Sequence, residues 1–331
     1  MTKNILKAIF LIFLIVATFF ILKRNQAEAQ TAYQENTGHI FGTSYKIVYQ
    51  ASKNMGQELH EQLKKVDASL SMFNKESTLY KINQNQTDTI DDFVNEIFLL
   101  SQWISQQTNG AFDCTVAPAV NAWGFGFKNQ EKMTPEVIDS LKQIIGYQRI
   151  KITEDGRLLK EDPRMMIDFS AIAKGFGVDV ISTYLKKHNV KNYLIEIGGE
   201  IIAKGHNAQG LPWKIGIQDP ESSTYNKIIN VTNKAMATSG NYRNYYVTTD
   251  GQVIAHTIDP HTAQPVQHSL LSATVFAPSC AMADAFATAF MVMGIDKAKQ
   301  TISVHSDSIS AYFIYRENDS IKTYMSQGFG K

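Results

Sequence analysis

From Ala281 to Met293 the sequence reads AMADAFATAFMVM, and only Asp284 and Thr288 in it are polar. A helix that is apolar all round belongs in the interior, so this run demands a fold that can surround it. It follows Pro278 and Ser279, a helix start with Ser279 as N-cap. Asp284 and Thr288 stand at i and i+4 on one face. An unpartnered buried carboxylate is costly, and no basic residue follows before Lys297. Two readings stand. One is a local Asp–Thr structural pair. The other is two hard oxygens aimed at Mg²⁺, with phosphate oxygens and water completing its octahedron.

The chain has 331 residues, room for one large domain or two ordinary ones. At 44% hydrophobic and 19% charged it is globular rather than disordered. The net charge is +1 and no long basic run occurs, which argues against a nucleic-acid partner. Cys114 and Cys280 are far apart and form no C-x-x-C pair, so a structural zinc site is not expected. At the N-terminus, Lys3 and Lys7 precede an apolar run from Ala8 to Leu22, closed by Lys23 and Arg24. Residues 1–24 read as a membrane anchor, short of the roughly 20 residues of a full span unless the lysines snorkel. The alternative is a signal segment cleaved near Ala27-Glu28-Ala29. Either way the rest of the chain is expected to be exported across the membrane. Residues 25–37 read as a polar linker and 38–331 as one domain.

Helical spacing marks 55–73, 89–110 (capped by Thr89 or Asp91), 134–147, 170–190 and the run after Ser279. Strand patterns mark 39–50, the short MMIDF at 165–169, 193–205, 213–220 and 308–316. Turn signals at Asp155-Gly156 and Asp250-Gly251 give hairpins over 149–161 and 244–258. Interspersed helices and consecutive hairpins indicate an α+β fold with mainly antiparallel sheet.

Three further stretches can carry chemistry. IDFSAIAKGFGVD, 167–179, delivers Asp168 and then a helix starting near Ser170, with Lys174 one turn in. A helix N-terminus suits phosphate, and Lys174 supplies a point charge; a capped helix with a solvated lysine is the plain alternative. GAFDCTVAPAVNAWGFGF, 110–127, mixes small residues, an acid and aromatics, and can either wall a flat ring or simply pack. His256, in QVIAHTIDP, lies near a strand end; it is either a core histidine or a general base.

Seven stretches in order resemble the ApbE family of FAD:protein FMN transferases: MFNKESTLYKIN, GAFDCTVAPAVNAWGFG, IDFSAIAKGFGVD, LIEIGGEI, ATSGNYRNYY, HTIDPHTAQPV and APSCAMADAFATAFMVMG. The resemblance implies a single ApbE-like, T-fold-like domain. It also implies a Mg²⁺-dependent enzyme that splits FAD, attaches FMN through a phosphoester to Ser or Thr of an acceptor protein, and releases AMP. The acceptor would be a subunit of a membrane redox complex. At the matching positions Phe41, Phe73, Ala111, Phe112, Asp113, Asp168, Lys174 and Ile258 would contact FAD. The Ala171 carbonyl, Asp284, Thr288 and a backbone oxygen of Ala287 would hold Mg²⁺, and His256 would be the base. An FAD pyrophosphatase and a non-catalytic FAD-binding protein are the competing readings. The chain departs from the family in three places. It has no N-terminal lipid-attachment cysteine, Ser170-Ala171 replaces a frequent Gly-Gly, and Ala287 stands where some members have Asp.

Overall fold

The computed structural model describes residues 2–29, 32–126, 132–222, 224–241, 245–247, 253–318 and 320–330. Helix α1 (Thr2–Ala29) leads into the hairpin β1 (Tyr33–Ile40) and β2 (Thr43–Gln50). Five helices follow: α2 (Gly56–Leu70), α3 (Thr78–Asn83), α4 (Asp92–Gln107), α5 (Ala117–Ala122) and α6 (Pro135–Lys142). Next come the hairpin β3 (Ile150–Ile152) and β4 (Leu158–Lys160), helix α7 (Ala173–Lys187), then β5 (Tyr193–Ile197) and β6 (Glu200–Lys204). The ribbon β7 (Trp213–Gln218) and β8 (Tyr225–Val231) precedes β9 (Lys234–Gly240). Short pairs β10 (Tyr245–Val247) with β11 (Val253–Ala255), and β12 (Ile258–Asp259) with β13 (Gln264–Pro265), lead to β14 (Leu270–Ala277). The chain closes with α8 (Cys280–Met293), α9 (Ile295–Val304), β15 (Ser310–Glu317) and β16 (Ser320–Met325).

The central sheet has the order β1-β2-β5-β6-β9-β14-β15-β16. Each neighbouring pair is antiparallel, so the expected α+β class with mainly antiparallel sheet holds. Period-two alternation sends side chains to two separate cores. On one face Ala237, Ala273, Val275, Ala311 and Phe313 pack with Ala283, Phe286 and Phe290 of α8. On the other, Ile201, Met236, Phe276 and Tyr312 pack under Trp213, Ile215 and Ile229 of the β7–β8 ribbon. Because both faces are covered, β14 reads as the near-continuous apolar run LLSATVFA. The helix expected from AMADAFATAFMVM is present, capped by Ser279, whose Oγ accepts from the Met282 N–H at 3.2 Å.

The structure differs from the sequence expectations at several places. The strand expected over 193–205 is a hairpin, β5 and β6 turning at Gly198 and Gly199, whose positive φ values no other residue type adopts as readily. The single strand expected over 39–50 is a hairpin. Phe41 and Gly42 both take positive φ, 52° and 72°, the turn geometry that matches strand twist. Its first strand reaches back to Tyr33 and so takes up part of the expected linker 25–37. As an edge strand with one open side it tolerates the polar residues that looked like a linker. MMIDF makes no strand ladder: the Ile167 N–H donates to Asn83 Oδ1 and the Asp168 N–H to the Cys114 carbonyl. The following helix begins at Ala173, not near Ser170, and Lys174 lies in its first turn. Of the two candidate caps for α4, Asp91 is the one used.

Among the described residues, no helix is long and apolar enough to cross a membrane. The side chains at both ends of the expected anchor, residues 1–6 and 22–24, lie outside those described. The turn Asp250-Gly251 also lies outside them, although β10 and β11 on either side pair as expected.

Candidate active site

The site is built where α7 crosses α8. Gly175 makes the crossing possible, since a Cβ there would lie 2.4 Å from the Cys280 carbonyl oxygen and 2.8 Å from the Ala281 Cα. The same contact brings the Gly175 N–H within 3.1 Å of Asp284 Oδ2, to which it donates. One turn along α7, Asp179 accepts from the Cys280 and Ala281 N–H groups at 2.9 and 2.8 Å. It thus satisfies two free donors at the start of α8. Burial raises the Asp179 carboxyl to about 6. Asp284 is 2% exposed, and its partners come from α7, not from its own helix. Thr288 does not pair with Asp284; its Oγ1 is 3.1 Å from Ser239 Oγ at the end of β9.

Lys174 points to the same place. Its Nζ is 3.0 Å from Glu200 Oε1 and 3.6 Å from Asp284 Oδ2. Burial opposes the ammonium, but Asp284 and Glu200 outweigh it and hold Lys174 above its ordinary range. Glu200 is raised well above the usual carboxylate range by burial, with Lys174 pulling the other way. Glu200 was not among the residues expected from the sequence. The signal for it was present: a single acid directly after the Gly198-Gly199 turn, opening the EIIAK strand ahead of the apolar Ile201, Ile202 and Ala203.

These groups lie in one cleft of about 1120 Å³, beyond the ~300–1,000 Å³ of drug-sized sites. Its floor holds Ala171, Lys174, Glu200, Asp284 and Thr288. Phe73, Ala111, Phe112, Asp113 and Asp168 also line it. Phe73 is 69% exposed, an apolar ring left open beside the cleft. His256 and Ile258 line the same cleft. Phe41 and Ala287 do not line the cleft. The Phe41 ring packs over Gly177 on α7, and Ala287 is fully buried in the core.

The walls are held by their own polar contacts. Asp113 accepts from the Thr115 N–H and Oγ1–H at 2.8 and 2.6 Å and from the Tyr147 N–H at 2.8 Å, so its carboxylate shapes the loop. Asp168 accepts from the Ser170 N–H at 2.7 Å, and burial raises its pKa. His256 follows the end of β11 and meets the Phe125 ring edge-on, 6.3 Å between centroids. The loop after it is pinned by His261, whose ring nitrogens lie 3.0 Å from Asp259 Oδ1 and 2.8 Å from the Asn109 carbonyl.

The donor set fits Mg²⁺ shared with a phosphate. Among the described residues no three His, Cys, Asp or Glu side chains cluster as a metal cage. Mg²⁺ does not require one, because it keeps waters and takes one or two carboxylates plus substrate phosphates. Asp284 and Thr288 present hard oxygens on the cleft floor beside the loop carrying Ala171. Two acids, Glu200 and Asp284, face the one Lys174 ammonium, and a cation beside Asp284 suits that arrangement.

The model of the ApbE family matches residues 41–313. The chain is 36% identical over 336 residues to the FAD:protein FMN transferase of Haemophilus influenzae, covering 96% of each. It is 33% identical over 335 residues to that of Escherichia coli (strain K12), covering 96% of this chain and 95% of that one. Among solved structures, the flavin transferase ApbE from Vibrio cholerae superposes with a TM-score of 0.81 at 33% identity, over 90% of this chain and 98% of that one. The apo flavinyl transferase ApbE of Pseudomonas stutzeri gives 0.82 at 31% identity, over 90% and 96%.

Proposed function

The chain belongs to the ApbE family, and from that premise we propose that it is a Mg²⁺-dependent FAD:protein FMN transferase. The observation that carries the proposal is one cleft lined both by the charged and polar groups Lys174, Asp284 and Thr288 and by His256. A dinucleotide with a flat ring at one end and a pyrophosphate in the middle calls for that combination. Phe73, exposed beside the cleft, offers apolar surface to the isoalloxazine. Lys174 faces the pyrophosphate as a point charge.

Asp284, Thr288 and the Ala171 carbonyl would hold Mg²⁺. When bound it would supply charge neutralisation on the pyrophosphate. His256 takes the proton of an acceptor Ser or Thr hydroxyl, whose oxygen bonds to the phosphorus of the FMN half. The bridging oxygen leaves with AMP. A hydroxyl whose pKa lies far above 7 gains from such a base. An acceptor from a membrane redox complex, on the extracytoplasmic side of a bacterial membrane, suits a chain anchored through α1. In support, α1 turns apolar side chains outward from Ile9 to Ile21, with Phe10, Phe13 and Phe20 each at least 64% exposed.

The test is to incubate full-length protein in detergent with FAD, Mg²⁺ and a Ser/Thr-bearing extracytoplasmic subunit of such a complex. Flavin fluorescence that stays on the acceptor after denaturation, with one AMP per flavin, is the expected result. AMP and free FMN without labelled acceptor would indicate a pyrophosphatase instead; neither product would indicate a binding protein.

A further inference from the structure

Three charged side chains from three elements meet at the floor of the cleft: Lys174 from α7, Glu200 from β6 and Asp284 from α8. At 3.0 Å the ammonium is within hydrogen-bonding range of Glu200, and at 3.6 Å it is outside that range of Asp284. The Glu200 side chain is 3% exposed, and its second oxygen, Oε2, is buried without a hydrogen-bond partner. Its place is fixed by the backbone. Gly198 and Gly199 turn with φ of +63° and +107°, and Glu200 pairs with Ile197 across that turn. An acid held this deep with one oxygen unsatisfied is costly. An apolar residue would fill the position more cheaply if filling were all that was required.

We propose that Glu200 is a positioning residue: it holds the Lys174 ammonium off Asp284, so that Asp284 stays available to a divalent cation while Lys174 faces the pyrophosphate. This rests on the transferase reading above. Without the Glu200 charge, Asp284 is the carboxylate left within reach of Lys174, whose flexible stem lets it close the gap. Ammonium and metal would then compete for one carboxylate. Holding the ammonium on a second acid removes that competition without removing the positive charge from the cleft.

The test uses Mn²⁺ alone as probe, titrated into the full chain without FAD and followed by loss of the free-ion EPR signal. Wild type, Glu200→Gln, Lys174→Met and the double variant are compared, with thermal unfolding to verify folding and Glu200→Asp as a variant that keeps the charge. Glu200→Gln is expected to weaken Mn²⁺ binding about tenfold, within the range for coupled neighbours. With Lys174 already replaced by Met, the same change should cost less than about twofold. Glu200→Asp should stay nearer wild type than Glu200→Gln. Mn²⁺ affinity unchanged in Glu200→Gln, or weakened equally when Lys174 is absent, overturns the proposal and leaves the metal site standing. Wild type that binds no Mn²⁺ either alone or in a parallel titration with FAD present overturns the metal assignment as well.

Discussion

Gly175→Ala is the smallest change that reaches the active site through packing alone. The added methyl would meet backbone atoms, the Cys280 oxygen at 2.4 Å, the Cys280 carbonyl carbon at 2.6 Å and the Ala281 Cα at 2.8 Å, where ordinary contact begins at 3.4 Å. None of these is the end of a flexible side chain, so α7 and α8 must part by roughly 1 Å, the shortfall of 2.4 against 3.4 Å. In an exposed helix the same substitution would stabilise by up to ~1 kcal/mol. Here overpacking, typically ~1–3 kcal/mol and at its upper end against backbone, outweighs that gain. A net loss of about 1–2 kcal/mol follows, a fall in Tm of about 2–4 °C for a chain of this size.

The larger effect is on function. The displaced Gly175 N–H loses its 3.1 Å bond to Asp284, and Asp284 moves relative to Lys174. A misplacement of ~1 Å costs on the order of 10²-fold in rate. Differential scanning fluorimetry gives the first number, and FMN transfer at saturating FAD and Mg²⁺ gives the second. A variant with raised Tm and full transfer would show that the helices separate freely, and the account of how Asp284 is held would be wrong.

Asp284→Ala should abolish Mg²⁺-dependent transfer; full activity of the folded variant at low Mg²⁺ would remove Asp284 from the metal site. His256→Ala should keep FAD binding and slow transfer by roughly 10²–10⁴, measured by acceptor-bound flavin; an unchanged rate would leave His256 a packing residue. Asp179 titrates near 6 when folded, against 3.8 for a free carboxyl. A raised folded pKa disfavours the folded state as pH climbs through that window, by about 3 kcal/mol in full at ~1.4 kcal/mol per unit. Asp179→Asn should therefore gain on wild type in stability between pH 4 and pH 7, whatever its lost hydrogen bond costs at both. Parallel stability–pH curves for the two would contradict the buried-carboxyl assignment. Ser279→Ala should cost about 1 kcal/mol by removing the cap of α8, seen as a lower denaturation midpoint.

Much of this was legible in the residues, and the exceptions have physical causes. The helix at AMADAFATAFMVM, its Ser279 cap and the antiparallel hairpins follow from periodicity and turn chemistry, which act locally. The Phe41-Gly42 turn was missed because Phe at positive φ is unusual; the ring's packing over Gly177 on α7 favours it, and that contact is tertiary. MMIDF has strand composition, yet its backbone bonds go to the Asn83 side chain and the Cys114 carbonyl. No local pattern encodes those partners. Most of the expected site residues line one cleft because the loops and helix ends that carry them converge at the α7–α8 crossing. Glu200 was overlooked because its partner lies 26 residues earlier in sequence, on another element.

The same reasoning explains why an otherwise apolar helix keeps Asp284 and Thr288. A local pair between them would have been self-sufficient and would have satisfied both. Instead each takes its partners from elsewhere: Asp284 from α7, Thr288 from β9. Buried carboxylates and an ammonium are poor stabilisers, since their desolvation offsets most of their attraction. Alanine at 284 would pack as its neighbours do, without the desolvation cost. The polar pair therefore stands against local stability and is held in place by three devices from outside the helix: the Gly175 contact, the Asp179 cap and the Lys174–Glu200 pair. All three fix the same few ångströms of cleft floor. That concentration of rigid support on two oxygens is what a phosphoryl-transfer site needs, where catalysis depends on position and charge more than on covalent chemistry.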